Sequence, residues 1–218
     1  MPITTLFCDL DDTLYPNTNG LWGAIRERMN AYLSARLGFS ELEILQRRRG
    51  YFETYGTTLR GLQLHHQVDA EDFLAFVHDL PLENYLSPDP GVRSLLLSLP
   101  QNKWIFTNAD ADHARRVLAR LNLSDCFAGI IDILALGYIC KPMEQAYRLA
   151  LELAGETEPE NCVMLDDSPR NLAPAHHMGF TTILVGVNGP DPAACFSIPG
   201  LIQLPRILPE LWSGGPSN

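Results

Sequence analysis

The run Leu6-Phe7-Cys8-Asp9-Leu10-Asp11-Asp12-Thr13-Leu14 begins as a hydrophobic strand and ends in acid rather than in a turn. Asp9 and Asp11 are two positions apart, so while the strand persists their side chains lean to the same face. Carboxylates held together repel, and a fold tolerates them only with a cation or a shared proton between them. Asp9 to Thr13 is therefore a candidate for metal binding and catalysis. The plain alternative is an acidic turn, Asp-Asp being ordinary loop chemistry.

Three other apolar runs end in unusual polar residues. Thr107-Asn108 follows Trp104-Ile105-Phe106, and Lys141-Pro142 follows the Ile130 run and its loop. Val163-Met164-Leu165 leads into Asp166-Asp167-Ser168-Pro169. In open α/β sheets, ligands bind outside the carboxyl ends of the strands. Helix starts are predicted beside three of these ends: Asn108 or Asp110 as a cap, Pro142 at the first helical position, and Ser168-Pro169 as cap and first position. Free N–H groups there favour an anion. A cation is disfavoured at a helix N-terminus, so Lys141 beside Pro142 calls for an anionic partner. Carboxylates, a hydroxyl, an amide and one ammonium together suit a phosphate beside a divalent metal, with the hard-oxygen coordination that Mg²⁺ prefers.

The elements that must position these groups are legible as a pattern. Continuous apolar runs at 3–8, 103–106, 130–134, 162–165 and 181–185 read as buried strands. Amphipathic stretches such as 111–121 and 143–154 lie between them. Strands of this kind separated by helices indicate a doubly wound α/β domain with a parallel sheet. From 16 to 87 only helical patterning occurs. Trp22, Ile25, Met29, Tyr32, Leu33 and Leu37 mark one helix, Leu42, Leu45, Phe52 and Tyr55 a second, and Phe73, Leu74 and Val77 another. Gly38, Gly56 and Gly61 are the expected breaks. The expected organisation is a catalytic core of 1–15 and 88–218 with a helical cap at 16–87. Asp89 should cap, and Pro90 open, the helix that returns to the core. An edge strand is expected at 201–204, a final helix at 206–212 and fraying at 214–218.

Composition narrows the function classes. With 218 residues the chain exceeds one typical domain and falls short of two. Sixteen Lys and Arg against 26 Asp and Glu give a net charge of −10, which disfavours nucleic acid polymers and anionic membranes. An anionic substrate then needs a local cation, either a metal or a placed lysine. The five cysteines form no C-x-x-C pair, so reduced thiols and a cytoplasmic location are expected. The first apolar stretch stops at Asp9, unlike a signal peptide. No run is long enough for a membrane helix.

Asp9-Leu10-Asp11-Asp12-Thr13, Thr107-Asn108, Lys141-Pro142 and Asp166-Asp167-Ser168-x-x-Asn171 resemble the four motifs of the haloacid-dehalogenase superfamily of phosphohydrolases, in that family's order. The resemblance implies an α/β core with a helical cap after the first motif. It also implies that Asp9 attacks phosphorus to form an aspartyl-phosphate, and that Asp11 protonates the leaving oxygen and later deprotonates water. Thr107, Asn108 and Lys141 would hold the phosphoryl oxygens. Mg²⁺ would be bound by the Asp9 carboxylate, the Asp11 backbone carbonyl and Asp167, with Asp166 nearby or through water. Dehalogenases and phosphonate-cleaving relatives lack an acid two residues after the nucleophile, so Asp11 favours phosphate-ester hydrolysis. Asp12-Thr13-Leu14-Tyr15-Pro16, the segment from Tyr55 to Leu62, Phe76-Val77-His78, Phe106-Thr107-Asn108-Ala109 and Asn171-Leu172-x-Pro174-Ala175-His176 resemble the pyrimidine 5′-nucleotidase family. That implies a nucleoside monophosphate such as UMP or CMP as substrate, on a monomer or homodimer.

Other readings compete. A broad-specificity phosphatase, a phosphomutase of the same superfamily, a receiver-like signalling domain and an inactive binding protein share parts of the pattern. In receiver domains the acid pair precedes the phosphorylated aspartate, whereas here it comes last. His65-His66 reads as cap surface or pocket lining, since adjacent residues diverge on a helix. His176-His177 reads as helix surface or sheet packing. Arg47-Arg48-Arg49 is a solvated charge run or an anion-steering patch, and Tyr55, Thr58 and Arg60 are candidate specificity residues. Cys8 should point into the core, as inert packing.

Overall fold

The computed structural model describes residues 2–212. Its sheet has six strands: β1 (Thr5–Cys8), β2 (Asn102–Phe106), β3 (Gly129–Ile131), β4 (Cys162–Asp166), β5 (Thr181–Val185) and β6 (Phe196–Ile198). All neighbours run parallel, in the order β3-β2-β1-β4-β5-β6. This is the doubly wound α/β class expected from the continuous apolar runs. Side chains of β1 alternate between two cores. Leu6 and Cys8 join Val163, Leu165 and Ile183 on one face, under α5 (Pro90–Ser98) and α6 (Ala111–Leu121). Phe7 joins Met164 and Leu184 on the other, under α7 (Glu144–Ala154) and α8 (Pro169–His177). Each fully buried large apolar side chain contributes roughly 1.5–3 kcal/mol, so a strand covered on both faces is strongly held. In this register Cys8 lies opposite both Ile105 and Leu165, which brings the tips of β1, β2 and β4 side by side.

Between β1 and α5 lie α1 (Leu21–Leu37), α2 (Glu41–Tyr55), α3 (Thr58–His66) and α4 (Ala70–His78), here called the cap. Local chemistry sets their limits. Gly38 ends α1 at φ 68°, a left-handed conformation that suits glycine. Ser40 and Glu43 form a capping box at the start of α2, and Asp69 caps α4. Asp89 caps α5 with Pro90 in its first turn, as expected. Leu33, Ile44, Leu62, Phe73 and Val77 pack the four helices together, in a cluster that also takes in Ile133 and Cys140.

Several expectations are corrected. The apolar residues read as the buried face of α2 point outward: Leu42 is 65% exposed, Leu45 61% and Phe52 49%, while Ile44 and Tyr51 are buried. Gly61 is no helix break. It lies inside α3, where a Cβ would stand 2.1 Å from the Tyr51 ring, so it lets α2 and α3 approach closely. The third strand stops at Ile131, because the next residue, Asp132, accepts from Ala111 N and Ala135 N, both at 2.8 Å, and turns the chain. Pro142 does not open a helix, since α7 starts at Glu144 and Lys141-Pro142 sits in a preceding turn. The edge strand is β6, not 201–204. Leu201, Leu204, Leu208 and Leu211 are all buried at helical spacing, and the chain forms a 3₁₀ turn and α9 (Leu204–Ile207) there. The final helix expected at 206–212 is instead α9 followed by a 3₁₀ turn at Pro209–Trp212. The fraying expected at 214–218 lies outside the described residues. No helix among those described is long and apolar enough to cross a membrane.

Gly61→Ala should lower the thermal midpoint, because overpacking costs roughly 1–3 kcal/mol and outweighs the helix propensity gained. Gly23→Ala, on α1 where nothing lies within 4 Å of a new Cβ, should raise it slightly. Thermal unfolding followed by circular dichroism checks both, and a stabilised Gly61→Ala would contradict the packing described.

Candidate active site

β1 delivers Asp9 to the centre of the sheet's carboxyl edge. Its N–H donates to Leu165 O at 2.9 Å, which extends the parallel ladder by one residue and fixes the backbone there. Lys141 Nζ reaches Asp9 Oδ1 and Asp166 Oδ2, each at 2.7 Å, from a side chain that is 1% exposed. The lysine's backbone is clamped by Asn108. Asn108 Nδ2 donates to Lys141 O, and Lys141 N donates to Asn108 Oδ1, both at 2.9 Å. Asn108 is thus a brace between β2 and the Lys141 turn, and Asp110 is the residue that caps α6.

Asp166 is fully buried and saturated. Besides Lys141, it accepts from Ser168 N at 2.9 Å and Asn171 Nδ2 at 3.0 Å. Lys141 therefore meets anions from a turn rather than a helix start, and they are two carboxylates of the protein. Burial alone would pull the ammonium down, yet Asp166 and Asp9 together hold it above its ordinary value. One charge serves two acids, and a third stands beside them. Burial drives the Asp9 carboxyl well above the usual range; Lys141 opposes this, while Asp166 and Asp167 reinforce it. Asp167 is pushed up to about 7 by burial, Asp166 and Asp12. Asp9, Asp166 and Asp167 each offer an oxygen within 4.8 Å of the others. A negatively charged set of hard oxygen donors short of positive charge fits a divalent cation. Asp12 Oδ1, buried and without a hydrogen-bond partner, adds to that shortage.

Asp11 does not share this cluster. β1 ends at Cys8, so the strand geometry that would align Asp11 with Asp9 has lapsed, and the Asp11 carboxylate turns elsewhere. The Tyr15 hydroxyl donates to its Oδ1, and His113 Nε2 lies 3.0 Å from the same oxygen. The buried His113 ring stacks on His78 at 4.0 Å, and His78 Nδ1 lies 2.5 Å from Asp110 Oδ2. Burial would raise Asp11, but His113 and Tyr15 outweigh it and hold the carboxyl below its ordinary value. Burial would lower His113, and Asp11 reverses this. Tyr15 and His78 entered the sequence analysis only within the segments that resemble the pyrimidine 5′-nucleotidases, with no role at the acids, and His113 did not enter it. The available signal was a histidine on the buried stripe of α6 with Ala114, Val117, Leu118 and Leu121.

A cavity of about 670 Å³ separates these groups from the cap, and Asp9, Asp11, Asp167, Thr107, Asn108 and Lys141 all line it. Asp166 is not a lining residue and supports Lys141 from beneath. Thr107 is buried, and its Oγ1 accepts from Ala109 N at 3.0 Å. Two of the contacts between cap and core lie beside the acids. Arg170 donates to the Phe52 and Glu53 carbonyls at 2.7 and 2.8 Å. At Gly56, a Cβ would stand 2.8 Å from Lys141 O. Among the candidate specificity residues, Thr58 lines the cavity, while Tyr55 and Arg60 do not. His65 and His66 bond the Tyr55 and Tyr51 hydroxyls, each at 2.7 Å, away from the acids. His176 and His177 lie exposed on the last turn of α8. Cys8 packs in the core, where burial pushes its thiol up to about 12, as befits inert packing.

Comparison with known proteins bears on the family and the fold. Phosphate metabolism protein 8 of Saccharomyces cerevisiae is 29% identical over 192 residues, covering 82% of this chain. The chain spans 60% of that relative's length. Two solved structures share the fold. The HAD-hydrolase YfnB from Bacillus subtilis, bound to magnesium, has a TM-score of 0.65 at 17% identity, over 96% of this chain and 100% of that one. A HAD phosphatase from Thermococcus onnurineus has a TM-score of 0.64 at 24% identity, over 94% and 97%. Haloacid dehalogenases and a β-phosphoglucomutase share the fold as well, so the fold alone leaves the reaction open. The model of the haloacid dehalogenase-like hydrolases matches residues 3–179, and the chain belongs to that family.

Proposed function

We propose that the chain is a Mg²⁺-dependent phosphomonoester hydrolase that works through an aspartyl-phosphate on Asp9, with pyrimidine nucleoside 5′-monophosphates as substrates. The observation that carries this reading is the convergence of Asp9, Asp167, Thr107, Asn108 and Lys141 on one cavity at the carboxyl edge of the sheet, with Asp11 lining the same cavity.

Asp9 is the nucleophile. Lys141 occupies its Oδ1, while Oδ2 has only a long contact of 3.4 Å with the Thr13 hydroxyl and is the freer oxygen. Attack forms the bond to phosphorus as the ester oxygen leaves. The proton that this oxygen takes up comes from the Asp11–His113 pair, joined at 3.0 Å, in which Asp11 outweighs burial and holds the imidazole above its ordinary value. The pair then accepts a proton from the water that cleaves the aspartyl-phosphate and releases inorganic phosphate. Covalent catalysis divides one difficult hydrolysis into two easier steps. Thr107, Asn108 and Lys141 hold the phosphoryl oxygens. Asp9, Asp167 and the Asp11 carbonyl hold Mg²⁺, whose charge offsets that of nucleophile and phosphate. Asp166, already saturated, orients Lys141. The acid at position 11 supports phosphate-ester hydrolysis over dehalogenation, and the cap segment from Tyr55 to Leu62 supports a nucleotide.

Asp9→Asn should lower turnover of a phosphate ester by about 10³-fold or more while leaving the far-ultraviolet circular dichroism unchanged. Wild-type rates in the mutant would remove Asp9 from the mechanism. EDTA should abolish hydrolysis and Mg²⁺ restore it. Mg²⁺ should also raise the melting temperature of the metal-free protein by relieving repulsion among Asp9, Asp166 and Asp167. Chelator-resistant activity contradicts the metal assignment. UMP and CMP should exceed sugar phosphates in kcat/KM, and a flat profile across such a panel reduces the reading to a general phosphatase.

A further inference from the structure

The cap wall of the cavity carries an electrostatic imbalance opposite to that of the floor. Arg26 of α1 and Arg48 of α2 both line it, and neither makes an ion pair among the described residues. The neighbours of Arg48 are different. Arg47 lies 3.9 Å from Glu43, and Arg49 lies 2.8 Å from Glu53. Arg48 is also partly withdrawn from water. Its Nη1 donates to Asn30 Oδ1 at 2.9 Å, which orients the guanidinium, while its Nε is buried without a partner. Burial, and then the like charge of Arg26, push Arg48 below its ordinary value. Asp12 feels Arg26 electrostatically but lies outside ion-pair range. Two guanidiniums thus face one cavity in a chain of net charge −10, with acids within ion-pair reach of their neighbours but not of them. An arrangement of this kind is relieved by an anion that arrives with the ligand.

Apolar side chains complete the wall. Trp22, Leu45 and Phe52 line the cavity while remaining 40%, 61% and 49% exposed, a surface that binds an apolar or planar body. We propose that the substrate is a phosphate monoester whose leaving group joins an apolar body to a second oxyanion, a carboxylate or phosphoryl group, received by Arg26 and Arg48. The proposal rests on the phosphatase reading, which supplies the phosphate end at Asp9 and Lys141. It departs from the nucleotide part of that reading, because the leaving groups of UMP and CMP carry no second oxyanion to meet Arg26 and Arg48.

The test compares 4-carboxyphenyl phosphate with its near-isosteric carboxamide, 4-carbamoylphenyl phosphate, on wild type, Arg48→Met, Arg48→Lys and Arg26→Met with Mg²⁺ present. The intrinsic difference between the two leaving groups is the same for every enzyme, so the change in their kcat/KM ratio reports the arginine. The carboxylate-to-carboxamide ratio should fall about tenfold in Arg48→Met, chiefly through KM for the carboxylate, and fall likewise in Arg26→Met. Arg48→Lys should recover part of it. A ratio unchanged within about twofold in both methionine variants overturns the proposal, as does an equal loss on both esters. Failure of the wild type on both esters while UMP or CMP is hydrolysed overturns this proposal alone; failure on all four removes the phosphatase reading as well.

Discussion

A single buried ammonium, Lys141 Nζ, bonds two carboxylates at 2.7 Å each, and the rest of the site is arranged around it. Removing one partner of a buried ion pair leaves an uncompensated charge and typically costs 3–5 kcal/mol. The fold therefore has to bring three distant segments together with accuracy. Parallel pairing of β1 with β4 sets Asp9 beside Asp166, and Asn108 at the tip of β2 clamps the turn that carries the lysine. Asn171 and Ser168 at the start of α8 then lock Asp166. The apolar layers on both faces of the sheet exclude water from this triad, which makes each charge more consequential than it would be in solvent.

Because that one cation is spread over two acids, Asp167 and Asp12 stand in excess. The sheet edge is left hungry for positive charge, the condition under which a divalent metal and then a phosphate are held. Asp11 escapes the crowd by a simple device: the strand ends at Cys8, so the residue is free to turn toward His113 and Tyr15. Two aspartates separated by one leucine thereby acquire opposite proton affinities, one raised and one lowered. The stacked pair His113 and His78 extends this polar network from α6 to α4, so the cap and the acid are mechanically connected.

The cap contributes a wall of the reverse sign. Leu45 and Phe52, which face outward on α2, and Arg26 and Arg48, which make no ion pair among the described residues, are poor surface design for an isolated helical bundle and fit one side of a cavity. Arg170 and Gly56 hold that wall against the core at the same loops that carry Asp167 and Lys141. Recognition and chemistry consequently share their supports.

Composition and periodicity were enough for the α/β class, the strand tips and most of the acids, because continuous apolar runs and the polar residues that end them are local signals. The exposed face of α2 reads as a core face in the sequence, since an apolar stripe looks the same whether it faces a core or a cavity. Helix-start chemistry placed Lys141 in a plausible but incorrect setting, and His113 went unnoticed as one polar residue in an apolar stripe. Which charge meets which is a matter of segments as much as 132 residues apart, the separation of Lys141 from Asp9. Such pairings exist only once the sheet has closed and its helices have packed, and so tertiary structure alone decided them.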